Sequence, residues 1–268
     1  MLKDITLGQF FPGDTVAHRL DPRTKILLVV LYIVALFCAK SLLAYGILAA
    51  VLAVCVRISR VGIKSLVRGL KPVVFIIVFT GILNLFFTPG EHILAELGFL
   101  RISAEGLQNA VFMVLRIMLL IMGTFLMTYT TSPISLTDGL ERLLGGLKKI
   151  QVPVHELAMI MSIALRFIPT LIEETDKIMS AQKARGADFE SGNIIQKAKA
   201  LIPILVPLFI SAFRRADELA TAMECRCYHG GEGRTKLHVL EYQRRDYIAL
   251  AGGVVILVLV VLLRKLGA

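Results

Sequence analysis

The sequence predicts an all-α protein that crosses a membrane several times and carries long amphipathic helices at one face. Three observations predict it. First, 56% of the 268 residues are hydrophobic and 19% charged, whereas soluble domains run at about 45–50% apolar and about 25% charged. Second, the apolar residues lie in blocks long enough to span a bilayer, which takes about 20 residues, and mean hydropathy is +0.74. Third, the net charge of +10 collects between the blocks, as Lys and Arg do on the cytoplasmic side of membrane proteins. The composition excludes a disordered chain and a small disulfide scaffold. It argues against an ordinary soluble enzyme, and the apolar blocks argue against a nucleic-acid partner.

Residues 1–25 are mixed and polar, and they hold no long apolar core behind a basic start, so no cleavable signal peptide is expected. Asp21 can cap a helix, and Pro22 suits its first turn, where no backbone N–H is needed. The apolar run Ile26 to Val56 is broken only at Lys40-Ser41. It is too long for one span, so two helices with a tight turn at Lys40 are expected. Arg57, Arg60, Lys64, Arg68 and Lys71 then form a basic loop without an acid. A third span runs from Pro72 to about Phe87. The stretch 88–106 carries Glu91, Glu96 and Glu105 against Arg101, and a fourth span runs from Leu107 to about Tyr129, interrupted by Arg116. With the basic loop inside, the N-terminus is inside and the acidic stretch outside.

Residues 131–246 differ in kind. Ser132-Pro133 opens a short helix that Gly145-Gly146 ends. Pro153 opens a helix to about Arg185, with Leu157, Ile160, Met161, Ala164, Ile168, Leu171, Ile172 and Ile178 at helical spacing. After the break at 186–192, another helix runs from Ile194 to about Arg226. Leu201, Leu205, Leu208, Ala212, Ala216, Leu219 and Met223 form its stripe, and Pro203 and Pro207 are expected to bend it. Arg166 would lie mid-bilayer if the first of these spanned, at a cost of about 2.5–3.5 kcal/mol or more. Long interfacial helices are therefore preferred over spans. A polar loop from Tyr228 to Arg245 precedes a last span from about Tyr247 to Leu263. The expected organisation is a membrane domain over 1–130, a cytoplasmic or interfacial domain over 131–246, and a C-terminal span over 247–268.

Enzyme motifs are near misses. His155-Glu156 begins a zinc-protease pattern, but Met159 stands where the second histidine belongs. Gly230-Gly231-Glu232-Gly233-Arg234-Thr235 lacks the Gly-Lys-Ser/Thr ending of a phosphate loop. Cys38 and Cys55 sit in apolar runs, so the cysteines give no framework of bridges and fit a reducing compartment. Cys225, Cys227 and His229 have poor spacing for zinc. No catalytic, cofactor-binding or metal-binding residue is assigned. Arg116 is a candidate intramembrane functional residue, with helix packing or snorkelling as the alternative and Asn84 as a conceivable partner.

The most informative feature is a pair of helix ends. One reads Gln182-Lys183-Ala184-Arg185-Gly186 and the other Met223-Glu224-Cys225-Arg226-Cys227-Tyr228. Each is a long amphipathic rod that finishes in an arginine between small residues. Arginine presents a permanent planar fork to carboxylates, and small neighbours let a partner backbone approach. The alternative is an arginine answering a helix C-terminal dipole.

These residues resemble the transmembrane T component of energy-coupling factor transporters, including the cobalt-transport permease subunit, over nearly the whole chain. Phe11-Pro12-Gly13-Asp14 and His18-Arg19-Leu20-Asp21-Pro22-Arg23-Thr24-Lys25 resemble the family's opening segment. Thr130-Thr131-Ser132-Pro133 is similar to its join between spans and coupling helices, and Gly233-Arg234-Thr235 also fits. Ala184-Arg185-Gly186 matches the first Ala-Arg-Gly motif. Cys225-Arg226-Cys227 occupies the second, keeping its arginine and departing at both flanks.

The resemblance implies a non-catalytic coupling subunit of an ABC-type importer in the cell membrane. Two cytoplasmic ABC ATPase subunits would receive the arginines, and a small membrane substrate-binding (S) component would capture a vitamin or metal ion. A self-sufficient secondary transporter is the alternative; it should show inverted repeats, and no convincing repeat is visible.

Overall fold

The computed structural model describes residues 10–88, 93–97, 100–150, 152–189, 193–230 and 239–265. After the single turn α1 (Val16–Arg19), the long apolar run folds as two helices, α2 (Pro22–Cys38) and α3 (Leu42–Ser59). Asp21 caps α2 by accepting from the Arg23 amide at 2.8 Å. At the turn, the Ser41 hydroxyl caps α3 by accepting from the Ala44 amide at 3.2 Å. The side of α3 that bears Tyr45, Leu48, Leu52 and Val56 is buried, because steps of three and four keep these residues on one helix face. They join Leu36, Leu66, Leu119 and Val260 in one cluster.

The basic stretch read as a loop is partly a helix, α4 (Ile63–Leu70), continued by a 3₁₀ turn into α5 (Val74–Phe87). Leu66 and Leu70 are buried, whereas Lys64 and Arg68 face solvent. The stretch is amphipathic, and its charges masked that periodicity. Residues 88–106, read only as a polar connection, contain an antiparallel hairpin of β1 (Ile93–Leu97) and β2 (Leu100–Ser103). Helix α6 (Ala104–Thr130) follows, capped by the Ser103 hydroxyl, which accepts from the Gly106 amide at 3.0 Å.

Beyond α6 come α7 (Pro133–Leu144), a 3₁₀ stretch, α8 (Val154–Ala184), α9 (Ile194–Glu224) and α10 (Arg244–Lys265). Helix α9 opens with a reciprocal box between Asn193 and Gln196 and runs unbroken through Pro203 and Pro207. Of the described residues, those in 10–139 and 240–265 form one compact unit and those in 140–239 another.

In the first unit, α10 packs on α2 through Gly253, where a Cβ would come within 2.7 Å of the Leu28 side chain. Such close backbone approach is how helices associate in lipid, where the hydrophobic drive between them is lost. Much of the remaining apolar surface is uncovered: Phe75 and Phe87 of α5 are 78% and 77% exposed. That suits hydrocarbon and not water.

Polar contacts tie one end of this unit together. Asp246 at the start of α10 accepts from the Asp21 amide at 2.9 Å and from the Gln243 amide at 2.8 Å. Lys25 donates to the carbonyls of His18 at 3.1 Å and Thr130 at 2.8 Å. Arg23 bridges Asp21 at 2.7 Å and stacks 4.0 Å over the Tyr242 ring. The starts of α2 and α10 and the end of α6 therefore lie at the same end of the unit. A chain that leaves after Thr130 and returns at Arg244 crosses a bilayer an even number of times in between.

Among the described residues, five helical segments are long and apolar enough to span: 42–59, 63–87, 104–130, 154–184 and 244–265. Helix α2 has the composition of a span at 17 residues. The segment over α8 has the lowest mean hydropathy of the five, 1.4 against 2.1–2.6 for the others. Helix α9 does not qualify, and α7, at 12 residues, is about 18 Å long against about 30 Å of hydrocarbon.

Candidate functional site: two arginine-bearing helix tips

Helices α8 and α9 have 31 residues each, about 46 Å at 1.5 Å per residue. They pair antiparallel. Glu174 on α8 takes hydrogen bonds from Ser211 and, at 3.1 Å, from Arg215 of α9. Arg215 also donates to the Thr170 hydroxyl at 2.8 Å, and Gln182 reaches the Pro203 carbonyl at 3.4 Å. Higher numbers on α8 meet lower numbers on α9. Ile204 of α9 is buried, while Phe209, Ile210 and Phe213 are 58–69% exposed.

The two helices end in the same backbone motif. At the end of α8, the Gly186 amide donates to the Lys183 carbonyl at 3.0 Å and the Ala187 amide to the Gln182 carbonyl at 3.0 Å. At the end of α9, the Cys227 amide donates to the Glu224 carbonyl at 2.9 Å and the Tyr228 amide to the Met223 carbonyl at 3.1 Å. These are the nested bonds of a Schellman closure, which satisfies the last carbonyls of a helix. Its left-handed position is held by Gly186 at φ +88° and by Cys227 at φ +54°.

The geometry therefore aligns Ala184 with Cys225, Arg185 with Arg226, and Gly186 with Cys227. Each arginine occupies the residue just before the chain reverses its handedness. Helix boundaries drift by a residue between assignments, but the hydrogen-bond pattern does not. All six residues are exposed, and among the described residues neither Arg185 nor Arg226 has an ion-pair partner. The second motif's departure from Ala-Arg-Gly leaves the backbone intact and puts a Cβ where the first has none. A Cβ at Gly186 would meet nothing within 4 Å, so it is the dihedral, and not crowding, that favours glycine there.

The other sequence candidates fall elsewhere. Arg116 donates from Nε to the Tyr45 hydroxyl at 3.0 Å and from a terminal nitrogen to the Ala39 carbonyl at 3.4 Å, and lies 5.5 Å from the Phe37 ring. It ties α6 to the α2–α3 turn. Its partner is Tyr45 and not Asn84, whose amide donates to Thr80 of its own helix at 2.9 Å. His155 contacts Glu141 at 3.0 Å. Among the described residues no group of three His, Cys, Asp or Glu side chains is placed to hold a metal, so Cys225, Cys227 and His229 do not gather. The glycine-rich loop from Gly231 onward lies outside the described residues.

Comparison with known proteins agrees with this architecture. Residues 13–237 match the Cobalt transport protein family, CbiQ. A Clostridium kluyveri protein called "Energy-coupling factor transporter transmembrane protein EcfT" is 54% identical over 265 residues, covering 98% of each chain. Proteins of the same name from Bacillus subtilis and Lactococcus lactis are each 46% identical over 264 residues. The match takes in 98% of this chain and 100% and 99% of theirs.

Proposed function

The chain belongs to the Cobalt transport protein family, and from that premise we propose that it couples ATP hydrolysis in two cytoplasmic ABC ATPase subunits to uptake by a small substrate-binding membrane protein. It is itself a non-catalytic, multi-pass subunit of a transporter. The observation that carries the coupling role is the matched pair of helix tips, in which two long rods each present, on a closed, well-defined turn, an exposed guanidinium without an ion-pair partner among the described residues. A rod about 46 Å long transmits displacement, and a planar cationic fork fits a carboxylate in a groove of the moving partner. Neither feature performs chemistry.

The tips belong on the cytoplasmic side in this reading. The segment between Thr130 and Arg244 makes an even number of crossings; α7 is too short to cross and α9 is too polar, which leaves α8 without a crossing partner. Residues 131–246 then stay on the side where α2 and α10 begin. Charge puts that side inside, because Arg57, Arg60, Lys64, Arg68 and Lys71 lie at the same end. The cargo, a vitamin or a metal ion, is chosen by the separate membrane subunit.

Purification of the tagged chain from its native membrane tests the assignment. Two ATPase subunits and one small hydrophobic protein should elute with it in stoichiometric amounts. A chain that elutes alone and transports unaided in vesicles would contradict it.

A further inference from the structure

Between α1, α2, α3, α6 and α10, within the first compact unit, lies a cavity of about 510 Å³. Its walls are apolar, with Leu28, Val51, Leu126 and Ile256 among them. Its polar groups include Lys25 and Arg245, which both belong to the first turn or so of their helices, at the end where α2 and α10 begin side by side. Lys25 spends two of its three protons on the His18 and Thr130 carbonyls, leaving one free. Arg245 is exposed.

We propose that this cavity is a binding site for one anionic phospholipid, with an acyl chain between the helices and the phosphate at Arg245 and Lys25. The size lies within the range of small-molecule sites, about 300–1,000 Å³. A protein helix, about 10–12 Å across, would fill it with about one turn, too little to dock. An apolar slot that ends in two cations matches a lipid in order: tail, then phosphate. Asp21 and Asp246 stand close by but are already engaged, the first by Arg23 and the second by the Asp21 and Gln243 amides. The leaflet that supplies the lipid rests on the topology proposed above; the site itself does not.

Native mass spectrometry of the delipidated full chain in detergent, titrated with phosphatidylglycerol or phosphatidylcholine, tests the site. One equivalent of phosphatidylglycerol should bind about tenfold more tightly than phosphatidylcholine. Arg245→Gln should erase that tenfold preference, which corresponds to about 1.4 kcal/mol, and leave phosphatidylcholine unchanged. Gly252→Phe should abolish the tight equivalent, because Gly252 lines the cavity and a Cβ there meets nothing within 4 Å, so the ring has room to enter it. A photo-crosslinking residue at position 252 should acquire a lipid mass in membranes. Equal affinity for the two lipids, an undiminished tight equivalent in folded Gly252→Phe, or a crosslink to a polypeptide would each overturn the proposal.

Discussion

The two tips share a backbone but not a residue at the left-handed position, and that asymmetry sets up a pair of substitutions with opposite signs. A side chain at positive φ costs about 1–2 kcal/mol relative to the right-handed region. Replacing glycine by alanine returns about 0.4–1 kcal/mol by narrowing the unfolded chain. Gly186→Ala should therefore destabilise the first tip by about 1 kcal/mol, and with open space around that Cβ no clash confuses the result. Cys227→Gly should stabilise the second tip by a similar amount. Each tip opens locally, so the readout is amide hydrogen exchange at the outer bond of each closure. A change of 1 kcal/mol is about fivefold in the closed-to-open ratio. The Ala187 amide should exchange about fivefold faster in Gly186→Ala, and the Tyr228 amide about fivefold slower in Cys227→Gly. Shifts of the same sign, or none, would refute the claim that both helices end in one closure held at that dihedral.

Three further outcomes follow from the membrane unit. A thermal-unfolding cycle of Arg116→Gln and Tyr45→Phe should give a coupling of about 1 kcal/mol, in the range for residues in direct contact; additive effects would remove Arg116 as the tie between α6 and the α2–α3 turn. Asp246→Ala should cost about 3 kcal/mol or more in the same measurement, because a residue 1% exposed leaves two amides without a charged acceptor, each worth about 1.5–3 kcal/mol. Asp246→Asn should recover part of the loss, and a neutral Asp246→Ala would contradict the tie between α2 and α10. Single cysteines at Ser65, His92 and Gly231, in a cysteine-free background, should be labelled from outside at His92 alone; ready labelling of Gly231→Cys would reverse the topology.

Most of the helices were legible because they rest on punctuation and period. Asp21-Pro22, Ser132-Pro133 and Pro153 mark helix starts, and the stripes of α8 and α9 repeat every three or four residues. Helix α4 was obscured by its charge density, although Leu66 and Leu70 already stood at helical spacing. The hairpin over 93–103 is a short backbone pairing with a shift in register between Ile93 and Ala95, and a four- or five-residue strand carries little pattern to read. Arg116 could be flagged as costly in a membrane, but its partner lies 71 residues away, and separation in sequence does not encode that contact. The arginines at the tips were found from sequence. The backbone closure they share was not, because a left-handed cysteine at position 227 looks like any other cysteine until the backbone is seen. The cavity beside α2 was also invisible, since it arises from five elements distributed over the chain.

The central claim is that Arg185 and Arg226 hold the partner ATPases, and charge reversal tests it most directly. Removing one member of a buried ion pair costs about 3–5 kcal/mol, at least about a hundredfold in affinity, and glutamate adds repulsion where alanine only leaves a carboxylate unpaired. Both residues are exposed in this chain, so folding and membrane insertion should survive the change. Co-purification of the ATPases, together with uptake into cells, should fall moderately in each single alanine variant, at least as much for Arg185→Ala as for Arg226→Ala. In the Arg185→Glu, Arg226→Glu double variant both should be lost. A folded, membrane-inserted double variant that keeps its ATPases and transports normally would contradict the account.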